Sequence, residues 1–156
     1  MSKHIVKSHN KTLILYHAVF PVKYRRKAIS PEIAETLKQT CEEITERYEI
    51  HFVEIGTDED HVHFLIQTVP TMQPSGMVAT IKSISAKQIF LRHPEVKEML
   101  WGGNFWTSGF YLNTVGQYAN EEIIKRYVQN QGKHYQLIHR GQLTLFDNQS
   151  ESELGA

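Results

Sequence analysis

Hydrophobic positions along the chain follow two rhythms, and the points where one gives way to the other mark the elements. Residues 12–20, TLILYHAVF, are rich in β-formers and long enough for a central strand, which Pro21 ends. From Ser30-Pro31 the rhythm becomes helical. Ile33, Leu37, Cys41, Ile44 and Tyr48 recur at spacings of four, four, three and four, behind a capping hydroxyl and a first-turn proline. Residues 50–56, IHFVEIG, and 61–67, HVHFLIQ, return to the strand pattern, with TDED between them as a hairpin turn. Pro70 and Pro74 bracket a loop. The spacing predicts a second helix over 75–92, with Met77, Ile81, Ile84 and Gln88/Ile89 near one face, Lys82, Ser85 and Lys87 on others, and His93-Pro94 closing it. WGGNFWTSGF, 101–110, reads as a glycine-rich aromatic loop, and FYLNTV, 110–115, as a fourth strand broken by Gly116. Asn120 caps a last helix that runs to Gln131, with Gly132 as its stop.

The order strand, helix, strand, strand, helix, strand, helix predicts an α+β fold. It is a ferredoxin-like antiparallel sheet of four strands with two crossover helices, and the C-terminal helix is extra to that plan. No internal repeat or linker interrupts it. Residues 1–147 are expected to form one domain, and the polar segment 148–156 a disordered tail.

Composition narrows the classes. The chain has 156 residues, 40% hydrophobic and 22% charged, an ordinary globular balance. It has no apolar run long enough for a membrane span, and its basic N-terminus lacks the apolar region of a secretory signal. The lone Cys41 allows no internal disulfide, which fits a reducing, cytoplasmic setting. Seventeen basic and seventeen acidic side chains cancel, so a nucleic-acid partner would need a local patch. The densest one is KYRRK, 23–27.

Alternation also sorts the third strand. Val62, Phe64 and Ile66 share one face, suited to packing under the helices, while His61, His63, Leu65 and Gln67 share the other. Two residues of strand rise are about 6.8 Å, so both imidazoles stand on one surface and their nitrogens can converge on one cation. The plainer reading is two half-buried histidines hydrogen-bonded to neighbours. Two ligands also need a third.

The last helix offers one. Tyr127 and Gln131 are four apart and share a face, flanked by Ile124 and Val128. If Ile124 and Val128 pack on the open face of the sheet, Tyr127 and Gln131 are carried toward His61 and His63. Bland roles remain open: Tyr127 as an amphipathic core edge, Gln131 as a polar residue near the helix end. Two imidazoles and an amide oxygen with open positions suit Mg²⁺ or Mn²⁺ better than a closed zinc site. Beside such a cation the Tyr127 phenol becomes a candidate nucleophile for a phosphodiester, forming a phosphotyrosine link that a second hydroxyl can later displace.

At this point the residues resemble a known family. His61-Val62-His63 is similar to the histidine-hydrophobe-histidine motif of HUH endonucleases. Tyr127-Val128-Gln129-Asn130-Gln131 is similar to the YxxxQ helix of their single-tyrosine transposases. The strongest resemblance is to the TnpA transposases of the smallest bacterial insertion sequences, and it takes in PVKYRRKAIS, DHVHFLI, WTSGFYLNTVG and IIKRYVQNQG. The resemblance implies a ferredoxin-like core, a divalent metal, recognition of single-stranded DNA with imperfect hairpins, and a homodimer. In that dimer the fourth strands can pair, and the helix of one subunit can serve the histidines of the other. It implies Tyr127 as nucleophile and His61, His63 and Gln131 as metal ligands. Asp58, Glu59 or Asp60 stands where some members place an acid near the metal, although a solvated turn explains all three equally well.

Lys23, Tyr24, Arg25, Arg26 and Lys27 are the candidate nucleic-acid contacts, with a solubilising strand end as the plainer reading. Guanidinium forks suit phosphate oxygens, and a tyrosine ring can stack on an unpaired base. Lys82 and Lys87 add contacts if their faces point to the cleft, but a solvated helix face is the expected place for both. Trp101, Phe105 and Trp106 either stack on bases or plug a core, and His51 is a rival ligand to watch. The expected function is cutting and rejoining of single-stranded element ends. The alternatives are a host-retained nickase of repeated palindromes, a water-using metal phosphodiesterase, and a module that only holds hairpins. Tyr118 and Tyr135 lie nine before and eight after Tyr127, beyond the expected helix ends, which favours the single-tyrosine type.

Overall fold

The computed structural model describes residues 5–6, 11–12, 14–116 and 136–140. The expected last helix, with Tyr127 and Gln131, and the tail 148–156 lie outside the described residues. Near the N-terminus, β1 (Ile5–Val6) and β2 (Lys11–Thr12) pair as a short antiparallel ribbon that the sequence reading did not anticipate.

β3 (Ile14–Pro21) is followed by a tight 3₁₀ turn at Lys23–Arg25 and then by α1 (Pro31–Arg47). The Ser30 hydroxyl accepts the Ile33 amide at 3.2 Å, as a first-turn cap should. Ile33, Leu37, Cys41 and Ile44 are buried along the predicted stripe, and Tyr48 forms the far cap. β4 (His51–Thr57) and β5 (His61–Thr68) form a hairpin whose turn is closed by the Asp58 amide donating to the His61 carbonyl at 2.9 Å. α2 (Pro74–Arg92) and a separate short helix, α3 (Pro94–Met99), lead through the 100–110 loop to β6 (Tyr111–Val115), and β7 (Gln136–Arg140) completes the described chain.

The five-stranded sheet has the order β6-β3-β5-β4-β7, antiparallel throughout. Its first four strands have the expected ferredoxin-like arrangement, because each crossover helix skips one strand. β7 is an addition, laid along β4 at the edge that four strands would leave open.

The main core lies between the sheet and the helices. Val62, Phe64 and Ile66 enter it from β5, Phe20 from β3 and Phe52 from β4, against Leu37 and Ile44 of α1 and Met77 and Ile81 of α2. All eight residues of β5 are buried, which is why its sequence is nearly continuous in apolar character despite the two histidines. No helix among the described residues is long and apolar enough to cross a membrane.

Two α2 side chains depart from the expected faces. Ser85 is fully buried: its hydroxyl donates to the Ile81 carbonyl and accepts the Trp106 indole N–H at 2.9 Å. Lys82 is half-buried rather than on a freely solvated face. Its ammonium donates to the carbonyls of Thr107 at 2.8 Å and Gly109 at 2.9 Å, close to the Phe20 and Phe110 rings, and burial lowers its pKa. The 101–110 loop folds back onto α2, and that return decides both faces. Lys87 is exposed as expected, and with Lys97 it lines an open groove of about 870 Å³ between α2, α3 and this loop.

Candidate active site

His61 and His63 point away from the helices, as strand alternation requires, because Val62 between them belongs to the helix-side core. Their rings lie close, with centroids 4.7 Å apart and planes at 73°. The ring separation is shorter than the backbone rise between the two positions, so the side chains lean together.

Each ring is held differently. His61 Nδ1 lies 2.6 Å from Asp60 Oδ1. An ionised carboxylate only accepts, so Nδ1 carries a proton and Nε2 is the ring nitrogen on the side away from Asp60. Asp60 also accepts from Arg25 Nε at 3.2 Å. Burial pushes the Asp60 carboxyl pKa up, but the His61 hydrogen bond and the Arg25 charge outweigh it, and the net shift is downward. On the other side of the ring, Asp58 Oδ2 is 3.9 Å from His61 Nε2. Two members of the acidic turn therefore face His61, and the third, Glu59, pairs with Lys27 at 3.6 Å.

His63 is almost fully buried. Burial lowers its pKa to about 3, and the neighbouring His61 and His17 imidazoles add to the effect. It is therefore neutral at pH 7, the form that binds metals. His17 of β3 stacks on it, with centroids 5.7 Å apart and planes within 4°. Tyr111 of the edge strand β6 meets His17 edge-on at 6.0 Å.

The sequence reading assigned no role to His17, nor to Glu54, which is buried opposite Leu65 on the histidine face. The available signal was a polar side chain inside an otherwise apolar strand. Buried titratable groups gathered on one sheet face mark a site candidate. His51, watched as a rival ligand, is not one. It stands opposite Gln67, four residues along β5 from His63, and with Cys41 and His139 it lines a separate cavity of about 250 Å³ against α1. Cys41 is buried there, and burial raises its thiol pKa.

Among the described residues, no three His, Cys, Asp or Glu side chains are arranged around one point to hold a metal ion. The donor set of the pair still fits a divalent cation: one neutral buried imidazole, and one imidazole oriented by a carboxylate as metal-binding histidines usually are. A further donor is needed. The expected one, Gln131, and the expected nucleophile, Tyr127, lie outside the described residues.

The basic segment abuts this site. Pro21 is the β3 residue directly opposite His61, and the Val22 amide donates to the Asp60 carbonyl at 2.8 Å. Tyr24, Arg25, Arg26 and Lys27 are exposed, and Lys23 is partly so. Arg25 and Lys27 are drawn onto the acidic turn by exposed ion pairs, which are weak and exchange readily for another anion. Phe105 and Trp106 plug the core, but Trp101 does not: it is 83% exposed.

The sequence profile of the family described as "Transposase IS200 like" matches residues 10–131, and the chain belongs to that family. Over 116 residues it is 31% identical to the ISDra2 transposase TnpA of Deinococcus radiodurans, spanning 74% of this chain and 82% of that protein. It is 27% identical over 124 residues to the transposase for insertion sequence element IS200 of Salmonella typhimurium, spanning 80% of each. The fold is similar to the crystal structure of a Deinococcus radiodurans R1 protein assigned as a transposase, with a TM-score of 0.66 and 27% identity. That match covers 81% of this chain and 97% of the other.

Proposed function

We propose that this transposase cuts and rejoins single-stranded DNA at hairpin-bearing element ends, with Tyr127 as nucleophile and a phosphotyrosine intermediate. The observation that carries the reading is the His61/His63 pair: two imidazoles 4.7 Å apart, one of them neutral through burial. His61, His63 and Gln131 would hold Mg²⁺ or Mn²⁺. Such a cation, when bound, supplies charge stabilisation at the scissile phosphate.

The protein's own groups do the rest. The Tyr127 oxygen forms a bond to phosphorus as the bond from phosphorus to the leaving DNA oxygen breaks. The phenolic proton ends, in net terms, on the leaving hydroxyl. The reverse attack by another DNA hydroxyl releases Tyr127, so no nucleotide cofactor is consumed. Asp60 fixes the His61 tautomer, and Lys23, Arg25, Arg26 and Lys27 receive the DNA backbone beside it. The working unit in this reading is a cytoplasmic homodimer.

The test is direct. Labelled hairpin DNA incubated with protein and Mg²⁺ and run on a denaturing gel should give a covalent adduct that Tyr127→Phe abolishes. His61→Ala and His63→Ala should bind the hairpin and fail to cut it. Cleavage with no adduct would replace the transferase by a hydrolase.

A further inference from the structure

Two aromatic rings stand in water on left-handed backbone, in loops joined just past the end of β3 that pairs with His61. Tyr24 is 65% exposed with φ 61°, and Trp101 is 83% exposed with φ 53°. A side chain with a Cβ is disfavoured at such angles, and neither residue gains burial in return. Trp101 sits just past α3, where a helix commonly exits through glycine. Backbone strain of this kind collects at binding sites.

The loops that carry the two rings are locked together. The Lys23 amide donates to the Phe105 carbonyl at 2.9 Å, the Thr107 amide donates to the Pro21 carbonyl at 3.0 Å, and Val22 bridges Trp106. The Lys23 ammonium is 5.0 Å from the centre of the Tyr24 ring. It is also 3.5 Å from where a Cβ on Gly102, the neighbour of Trp101, would stand. One cation therefore lies against the Tyr24 ring and beside the residue that follows Trp101. Arg26 is exposed alongside and makes no ion pair with a described residue. Arg25 joins the same turn to Asp60, and Asp60 holds His61.

We propose that Tyr24 and Trp101, with Lys23 beside them, form a stacking site for unpaired bases of the strand presented to His61 and His63. The inference rests on the single-strand reading above and adds where that strand is gripped. Aromatic faces accept any base, and the neighbouring cations accept its phosphates. Bases paired in a duplex keep their faces covered, so the site prefers single strands. A core role for these rings is already filled by Phe105 and Trp106.

The test uses the full-length protein carrying Tyr127→Phe, so that nothing is cut, and fluorescence anisotropy of three probes. These are a labelled oligo(dT) strand, a strand of equal length built of abasic units, and a duplex. Adding Tyr24→Ala or Trp101→Ala should weaken oligo(dT) binding by roughly five- to a hundredfold, the range of one lost base stack. Tyr24→Phe and Trp101→Phe should bind like the parent, and no aromatic variant should change abasic or duplex binding. Tyr24→Gly and Trp101→Gly relieve the backbone, so they should melt no lower than the parent yet bind as weakly as the alanine variants. Misfolding is thereby separated from lost stacking. The salt dependence of binding should be unchanged in the aromatic variants and shallower in Lys23→Ala. Parent-like oligo(dT) affinity in the alanine variants, or equal losses on all three probes, would overturn the proposal. An adduct formed by protein with Tyr127 intact, together with parent-like affinity in Trp101→Ala, would sink this inference and leave the transferase standing. Base-dependent binding without any adduct would do the reverse.

Discussion

His17 lies flat against His63. The two rings come from adjacent strands, and both are buried, with planes within 4° of each other. Burial alone lowers the His17 pKa to about 4. Neither imidazole takes up a proton readily in the native state, whereas both would near pH 6.5 in the unfolded chain.

Stability should therefore depend on pH in a definite direction. Between about pH 4 and 6.5 the unfolded chain binds more protons at His17 than the native state does, so stability rises with pH across that window. Going from pH 7 to pH 5 should cost roughly 1–2 kcal/mol through this residue. Urea denaturation at both pH values should show the loss in the parent and a smaller one in His17→Leu. Equal losses in the two proteins would contradict the assignment.

Asp60 should matter to metal binding without touching the metal. Its carboxylate holds His61 Nδ1 at 2.6 Å. Asp60→Asn removes the charged acceptor, and loss of such a partner typically weakens metal affinity by about 10- to 100-fold. Mn²⁺ titration followed by electron paramagnetic resonance checks this in the absence of DNA. A dissociation constant matching that of the parent would show that Asp60 serves only the turn.

Lys82 should act as a pin for the segment before β6. Lys82→Met leaves the Thr107 and Gly109 carbonyls to water in place of its ammonium, at a cost of roughly 1 kcal/mol. Amide exchange around residues 107–111 should quicken more than exchange in α1. Uniform quickening throughout the chain would mean only a general loss of stability.

Ser85→Ala should destabilise through Trp106. The indole N–H loses its partner at 2.9 Å in a buried place, which costs about 1–3 kcal/mol. Combining it with Trp106→Phe, which removes the donor, should recover part of that loss. A double-mutant cycle with no coupling would refute the pairing.

Much of the architecture was legible because several local signals agreed. The α1 stripe, its Ser30 cap, the hairpin turn and the alternation of β5 all point to the observed elements. β7 was missed because QLIHR is short and mixed, and it is a strand only where β4 offers a ladder. α3 was hidden behind Pro94, which read as a stop for α2 and serves as a first-turn residue for the next helix. The histidine pair needed only a two-residue period to be seen. His17 and Glu54 needed the register between strands distant in sequence, which no local pattern contains. Lys82 and Ser85 were misplaced because a loop some twenty residues downstream decides what covers them.

The burial of β5 along its entire length has a consequence for how this chain can change. A strand enclosed above and below tolerates no slippage: a one-residue shift of its pairing register would turn both imidazoles into the greasy layer and drive Val62 and Phe64 out of it. The placement of the histidine pair and foldability are thereby written in the same few letters. A register slip would undo both at once, so length variation in descendants of this sequence belongs in its loops.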